Sequence, residues 1–107
     1  MPLRRTLMPL AVVLMGMSAA SAHAETIQIV MDKLIYIPAE TSAKVGDTIE
    51  WINKDILVHT ATATNGDWNV TIAPNKTEHL ILKKAGTIEY FCRFHPNMKG
   101  RIGVVPE

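Results

Sequence analysis

Cysteine is almost missing from this chain. Cys92 is the only one in 107 residues, so no disulfide can close within a single copy. Charge of one sign is missing too. Setting aside Arg4 and Arg5 leaves nine Lys and Arg against ten Asp and Glu. A domain so balanced has no electrostatic footprint for nucleic acid. Long apolar runs are confined to one place, Leu7 to Met17, which is too short to span a bilayer alone. No later segment repeats its apolar residues with a 3.6-residue period, so a helical domain is not expected. Internal repeats, linkers and low-complexity stretches are absent as well.

The one apolar run has a recognisable setting. Arg4 and Arg5 precede it, and small residues ending in Ala22-His23-Ala24 follow. That layout predicts a secretory signal peptide over residues 1–24, cut after Ala24. The arginine pair alone does not choose between the general and the twin-arginine exporter. The expected mature chain is a single domain over residues 25–107, located in the periplasm. Its 83 residues allow only a modest core, of the size that a bound metal helps to hold. Exported cysteines normally pair. A lone one is therefore a liability, an intermolecular bridge or a functional thiol.

Most of the mature chain reads as short strands. Runs at Thr26–Met31, Leu34–Ala39, Thr48–Asn53, Val58–Thr64, Glu78–Lys83, Thr87–Phe91 and Arg101–Val105 are rich in β-branched and aromatic residues. Gly, Pro and Asn punctuate them. Seven to eight such strands predict an all-β, Greek-key sandwich of two sheets. Trp51, Tyr90 and Phe91 are expected in its core.

With the leader removed, two methionines and three histidines remain: Met31 and Met98, His59, His79 and His95. Cys92, His95 and Met98 fall within seven residues, in "EYFCRFHPNMKG". They sit on the tip loop between the strand ending at Phe91 and the strand beginning at Arg101. A thiolate and a thioether are soft ligands and an imidazole is borderline. Together they favour copper, because zinc sites are built from Cys, His and carboxylates. Two imidazoles and a thiolate in a plane, with a weak axial thioether, make a blue-copper electron-transfer site. The second imidazole must come from elsewhere. His59 is the better candidate, because a sandwich gathers its loops at two ends. His79 lies in "TEHLILKK" on the face opposite Leu80 and Leu82, which points it to solvent. An extended chain would hold Cys92 and His95 about 10 Å apart, so the loop must fold back. Pro96 and Gly100 suit such a loop.

"YFCRFHPNMKG", with "WINKDILVHT" upstream, resembles the cupredoxins, the small blue-copper proteins. The two-residue gaps in Cys-x-x-His-x-x-Met are the shortest of that family and are similar to the amicyanin type. Plastocyanin and azurin loops are longer. The resemblance covers nearly all of the mature chain. It implies one copper ion, cycling between Cu(I) and Cu(II), on His59, Cys92, His95 and Met98. It implies that Asn53 hydrogen-bonds near the Cys92 sulfur and ties the two ligand loops together. It implies an electron port at the edge of His95, in an apolar patch to which Phe94, Pro96, Leu57 and Met31 are candidates. The implied role is a monomeric periplasmic one-electron carrier, not an enzyme. Its family partners are an amine dehydrogenase as donor and a c-type cytochrome as acceptor. A copper chaperone or storage module on the same fold is the alternative, though the chain has no Met-rich or His-rich tail. A copper oxidase is disfavoured, since no His-x-His pairs are present. Val58 and Thr60 flank His59 where amicyanins usually carry Pro and Asn. Arg93-Phe94 stands where the loop usually has Thr-Pro, so partner choice is expected to differ.

Overall fold

A computed structural model describes residues 23–107, and all of its regular structure is β. The leader expected over 1–24 lies outside the described residues, apart from His23 and Ala24. Among the described residues there are nine strands: β1 (Thr26–Asp32), β2 (Ile35–Ile37), β3 (Glu40–Lys44), β4 (Thr48–Asn53), β5 (His59–Ala63), β6 (Asn69–Ile72), β7 (Thr77–Ile81), β8 (Gly86–Phe91) and β9 (Lys99–Val105). One sheet has the order β2-β1-β4-β7 and the other β3-β9-β8-β5-β6. The β1–β4 and β3–β9 pairs are parallel and the rest antiparallel. No helix among the described residues is long and apolar enough to cross a membrane.

The all-β sandwich expected from the sequence is therefore present, with nine strands where seven to eight were expected. The two additional ones, β3 and β6, are the edges of the second sheet. Each buries a single side chain, Ala43 or Ile72. An edge strand with one buried residue carries almost no apolar alternation, so its sequence reads as loop. The run Leu34–Ala39 also divides: β2 pairs with β1, and the chain crosses after Pro38 to pair with β9.

Alternation decides what faces inward. Ile29 and Met31 on β1, Ile49, Trp51 and Asn53 on β4, and Ile102 and Val104 on β9 are all buried. On β8 the inward series is Ile88 and Tyr90, and the next step is Cys92. On β5 it is His59, Ala61 and Ala63. The two small alanines leave room for an aromatic cluster between the sheets. Tyr36 packs edge-on against Tyr90 at a centroid distance of 4.6 Å, and Trp51 against Tyr90 at 4.9 Å. Trp68 covers both Trp51 and Tyr90. Trp51 and Tyr90 thus lie in the core as expected. Phe91, one step out of phase with Tyr90, is only half-buried. β4 and β8 run toward the same end of the sandwich, and β5 and β9 start from it. Asn53, His59 and Cys92 are therefore the inward side chains nearest that end.

Candidate metal centre

Two successive turns shape the loop after β8. The His95 N–H donates to the Cys92 carbonyl at 3.2 Å, and the Met98 N–H donates to the His95 carbonyl at 2.8 Å. Each closes four residues, so the two-residue gaps match one turn apiece. Pro96 is the second residue of the latter turn, where its fixed φ is favoured. The Cys92 N–H then donates to the Met98 carbonyl at 3.1 Å. That bond extends the β8–β9 ladder by one step and brings Met98, itself buried, back beside Cys92.

His59 meets this loop across more than thirty residues of sequence. Its Nδ1 is 3.7 Å from Cys92 Sγ, and the Nδ1 of His95 is 3.6 Å from the same sulfur. The ligand atoms of these three residues all lie within 4.8 Å of one another. Their rings are edge-to-face at a centroid distance of 5.0 Å. One thiol hydrogen cannot serve both nitrogens. A metal ion can. Bonds of about 2.0 Å to nitrogen and about 2.3 Å to sulfur, set 120° apart, place sulfur and nitrogen about 3.7 Å from each other. Both separations match a trigonal ion, so the donor set fits a metal bound by two imidazoles and one thiolate.

The other nitrogen of His59 explains why Nδ1 is free to act as a ligand. Nε2 lies 2.7 Å from Asp55 Oδ2. The same carboxylate accepts the backbone N–H groups of Lys33 at 2.7 Å and Leu34 at 3.1 Å. Burial raises the Asp55 pKa. The His59 ring N–H and the two backbone donors outweigh that and hold the carboxyl below its usual range. An ionised carboxylate only accepts, so the proton sits on Nε2 and the lone pair of Nδ1 faces the sulfur. The bond also anchors the β1–β2 turn, where Lys33 and Leu34 have φ of 56° and 64°. Two consecutive non-glycine residues in the left-handed region are strained, and Asp55 holds both.

Thr60 holds the sulfur side. Its N–H points at Cys92 Sγ at 3.4 Å. Its hydroxyl accepts the Arg93 N–H at 2.8 Å, which ties the β5 start to the Cys92 loop. The Thr60 carbonyl accepts the Tyr36 hydroxyl, linking the same residue to the aromatic cluster.

The expected residues are thus placed as follows. His59, Cys92 and His95 converge, with Met98 buried beside them. His79 is exposed and bonded to Glu50 on β4, away from the cluster. Asn53 is buried, but its hydrogen bonds do not reach Cys92. Its amide donates to the carbonyls of Leu57 at 2.8 Å, Ile72 at 3.0 Å and Ala73 at 3.3 Å, and its oxygen accepts the Asp55 N–H. Asn53 therefore braces the loop that carries Asp55, while Thr60 makes the link between ligand loops that was expected of Asn53. Met31 is not part of a surface patch; it alternates with Ile29 into the core and is fully buried. Phe94 and Pro96 are exposed on either side of half-buried His95, and Leu57 is exposed two residues before His59. Ile56, at 86% exposure, and Leu34 add to the apolar surface at this end. Asp55 and Thr60 were missed by sequence reasoning. The four-residue spacing of Asp55 and His59 is the only sequence signal that could have found either.

Comparison with known proteins points the same way. A family model described as a cupredoxin-like domain matches residues 6–104. The chain is similar to amicyanin of Paracoccus denitrificans, 34% identical over 93 residues, covering 79% of this chain and 71% of that protein. Amicyanin of Paracoccus versutus is 24% identical over 91 residues, covering 79% and 69%. Among solved structures, a reduced amicyanin variant superposes with a TM-score of 0.65 at 30% identity, covering 74% of this chain and 81% of that one. The crystal structure of Paracoccus versutus amicyanin gives 0.65 at 25% identity, covering 79% and 84%.

Proposed function

The chain belongs to the cupredoxin family, and from that premise we propose that it is a one-electron carrier with a type 1 copper site on His59, Cys92, His95 and Met98. The observation that carries the reading is the pair of sulfur–nitrogen separations, 3.7 and 3.6 Å, converging on one buried cysteine. A copper ion bound there supplies the one-electron Cu(I)/Cu(II) couple. Cys92 contributes the thiolate, with the Thr60 N–H beside it. His59, fully buried and oriented by Asp55, is the fixed imidazole. His95, on the tip loop, is the imidazole through which electrons enter and leave. Met98, buried beside Cys92, would add a weak thioether donor. Asn53 braces the loop behind them. Phe94, Pro96 and Leu57 form the apolar port around His95.

Every ligand position in this reading is filled by a side chain, so no place is kept for a substrate. That suits a carrier and not an enzyme. The partners are redox proteins met in the periplasm: an amine dehydrogenase as donor and a c-type cytochrome as acceptor, with the chain acting as a monomer. The deciding measurement is the visible and EPR spectrum of the copper-loaded protein, with and without His59→Ala. An intense thiolate-to-copper band is expected in the parent and is lost or displaced in the variant. A copper-loaded parent without such a band overturns the reading.

A further inference from the structure

At the end of the sandwich opposite the metal centre, we propose that Asp47 is the seat for a new N-terminus. Hydrolysis of the Ala24–Glu25 peptide bond would leave an α-ammonium on Glu25, paired with the buried Asp47 carboxylate, so that removal of the leader strengthens the fold. The proposal rests on the export reading, and on a contact that involves no metal ligand.

The backbone marks the position. Glu25 N lies 2.9 Å from Asp47 Oδ1. The Glu25 carbonyl accepts the Thr48 N–H at 2.8 Å. Residue 25 is therefore held on both sides, and the parallel ladder begins at the next residue, with Thr26 opposite Thr48. His23 and Ala24 before it, like Glu25 itself, are exposed and belong to no strand. The two hydrogen bonds of Glu25 fall just after the bond that Ala22-His23-Ala24 marks for cleavage.

Asp47 is enclosed, with 2% of its surface exposed. Besides Glu25 N, its oxygens accept the Lys44 N–H at 2.9 Å and the Lys44 ammonium at 3.1 Å. Burial pushes its pKa up, and these donors outweigh burial and hold it below the usual carboxylate range. In the uncut chain only one donor carries charge. A peptidase and one water change that. The C–N bond breaks, the water oxygen joins the Ala24 carbonyl carbon, and the Glu25 nitrogen takes up the protons. Ala24 leaves as a carboxylate with the leader, and Glu25 stays as an ammonium. The nitrogen keeps the place of the former amide and gains a positive charge beside a carboxylate that is poorly screened by solvent. The leader-bearing chain is then the less stable of the two, which suits passage before folding.

All nine strands lie within residues 25–107, so the test uses that chain in three forms. One starts at a free Glu25, one is Nα-acetylated on Glu25, and one retains Ala24. Urea unfolding is expected to give the free form a folding equilibrium constant roughly tenfold above the other two. The advantage is expected to vanish in Asp47→Asn; an advantage that persists there overturns the pairing. The acetylated form keeps the single amide N–H of the uncut chain and lacks the charge, so its comparison stands even if the Asp47 variant fails to fold. Equal stability of the three forms overturns the ion pair. Expression of the full chain, followed by N-terminal sequencing of the exported product, is expected to read Glu25 first. Any other first residue overturns the cleavage position. None of these readouts involves the visible spectrum that judges the electron-carrier reading.

Discussion

Replacing Asp55 by alanine tests the link between the metal centre and the β1–β2 turn. The carboxylate accepts three hydrogen bonds, from Lys33 N, Leu34 N and His59 Nε2. Lys33 and Leu34 are exposed, so water replaces the carboxylate there and each loss is small. His59 is not exposed at all. Its Nε2–H would be left buried without an acceptor, at a cost of about 1–3 kcal/mol. The released left-handed turn adds a few tenths, for a total of roughly 2–3 kcal/mol. For a domain of this size that lowers Tm by roughly 8–24 °C, read by thermal and urea unfolding of the metal-free protein. Copper affinity is expected to fall about 10–100-fold, because the ring loses the partner that fixes its tautomer. Asp55→Asn separates the two effects. Its single acceptor can serve His59 or the turn, while its NH2 group meets another donor. A metal-free Asp55→Ala protein within about 0.5 kcal/mol of the parent, together with unchanged copper affinity, would refute the account of His59 orientation.

Three further predictions concern other contacts. Gly100 lies opposite Tyr90 on the β8–β9 ladder, and a Cβ there would come 2.8 Å from Tyr90 Cε1 and nearer still to its Cζ and hydroxyl oxygen. Gly100→Ala is expected to cost about 1–3 kcal/mol in urea unfolding; a loss below about 0.5 kcal/mol means that the ring yields freely. Thr60→Val removes the acceptor of the Arg93 N–H and should cost about 1 kcal/mol, with faster amide exchange at Arg93; unchanged exchange there contradicts the tie. Asp47 and Asp55 both have pKa values lowered by folding, so each adds stability above the unfolded carboxylate value of about 4 that is lost as pH falls through the lower folded value. Metal-free protein should therefore weaken as pH drops below about 4, and Asp47→Asn should be less stable at neutral pH yet lose less on acidification. A parallel pH profile for the two proteins excludes Asp47 from that linkage.

What the sequence disclosed depended on how local the signal was. Cys92, His95 and Met98 were legible because two consecutive turns demand their spacing and because their softness is a property of residue type. His59 was legible because a sandwich gathers its loops at two ends, so the start of its strand could meet the Cys92 loop. β3 and β6 were not, since each buries one side chain. Asp55 escaped notice because part of its role comes from the turn at Lys33 and Leu34, more than twenty residues upstream. The duty assigned to Asn53 belongs to Thr60, whose N–H and hydroxyl both face the Cys92 loop. Nothing in a threonine beside a histidine announces that pairing. Met31 could have been placed inward by the same alternation that buries Ile29.

For a chain exported as proposed, the solitary sulfur has a consequence outside the reducing cytoplasm. Folded, Cys92 is wholly enclosed and beyond the reach of oxidants or of a second chain. Unfolded, each copy bears one free thiol and no internal partner for it, so the only disulfide it can make joins two molecules. Folding is thus also the event that caps the thiol, and every excursion to the open chain carries a risk of disulfide-linked dimerisation.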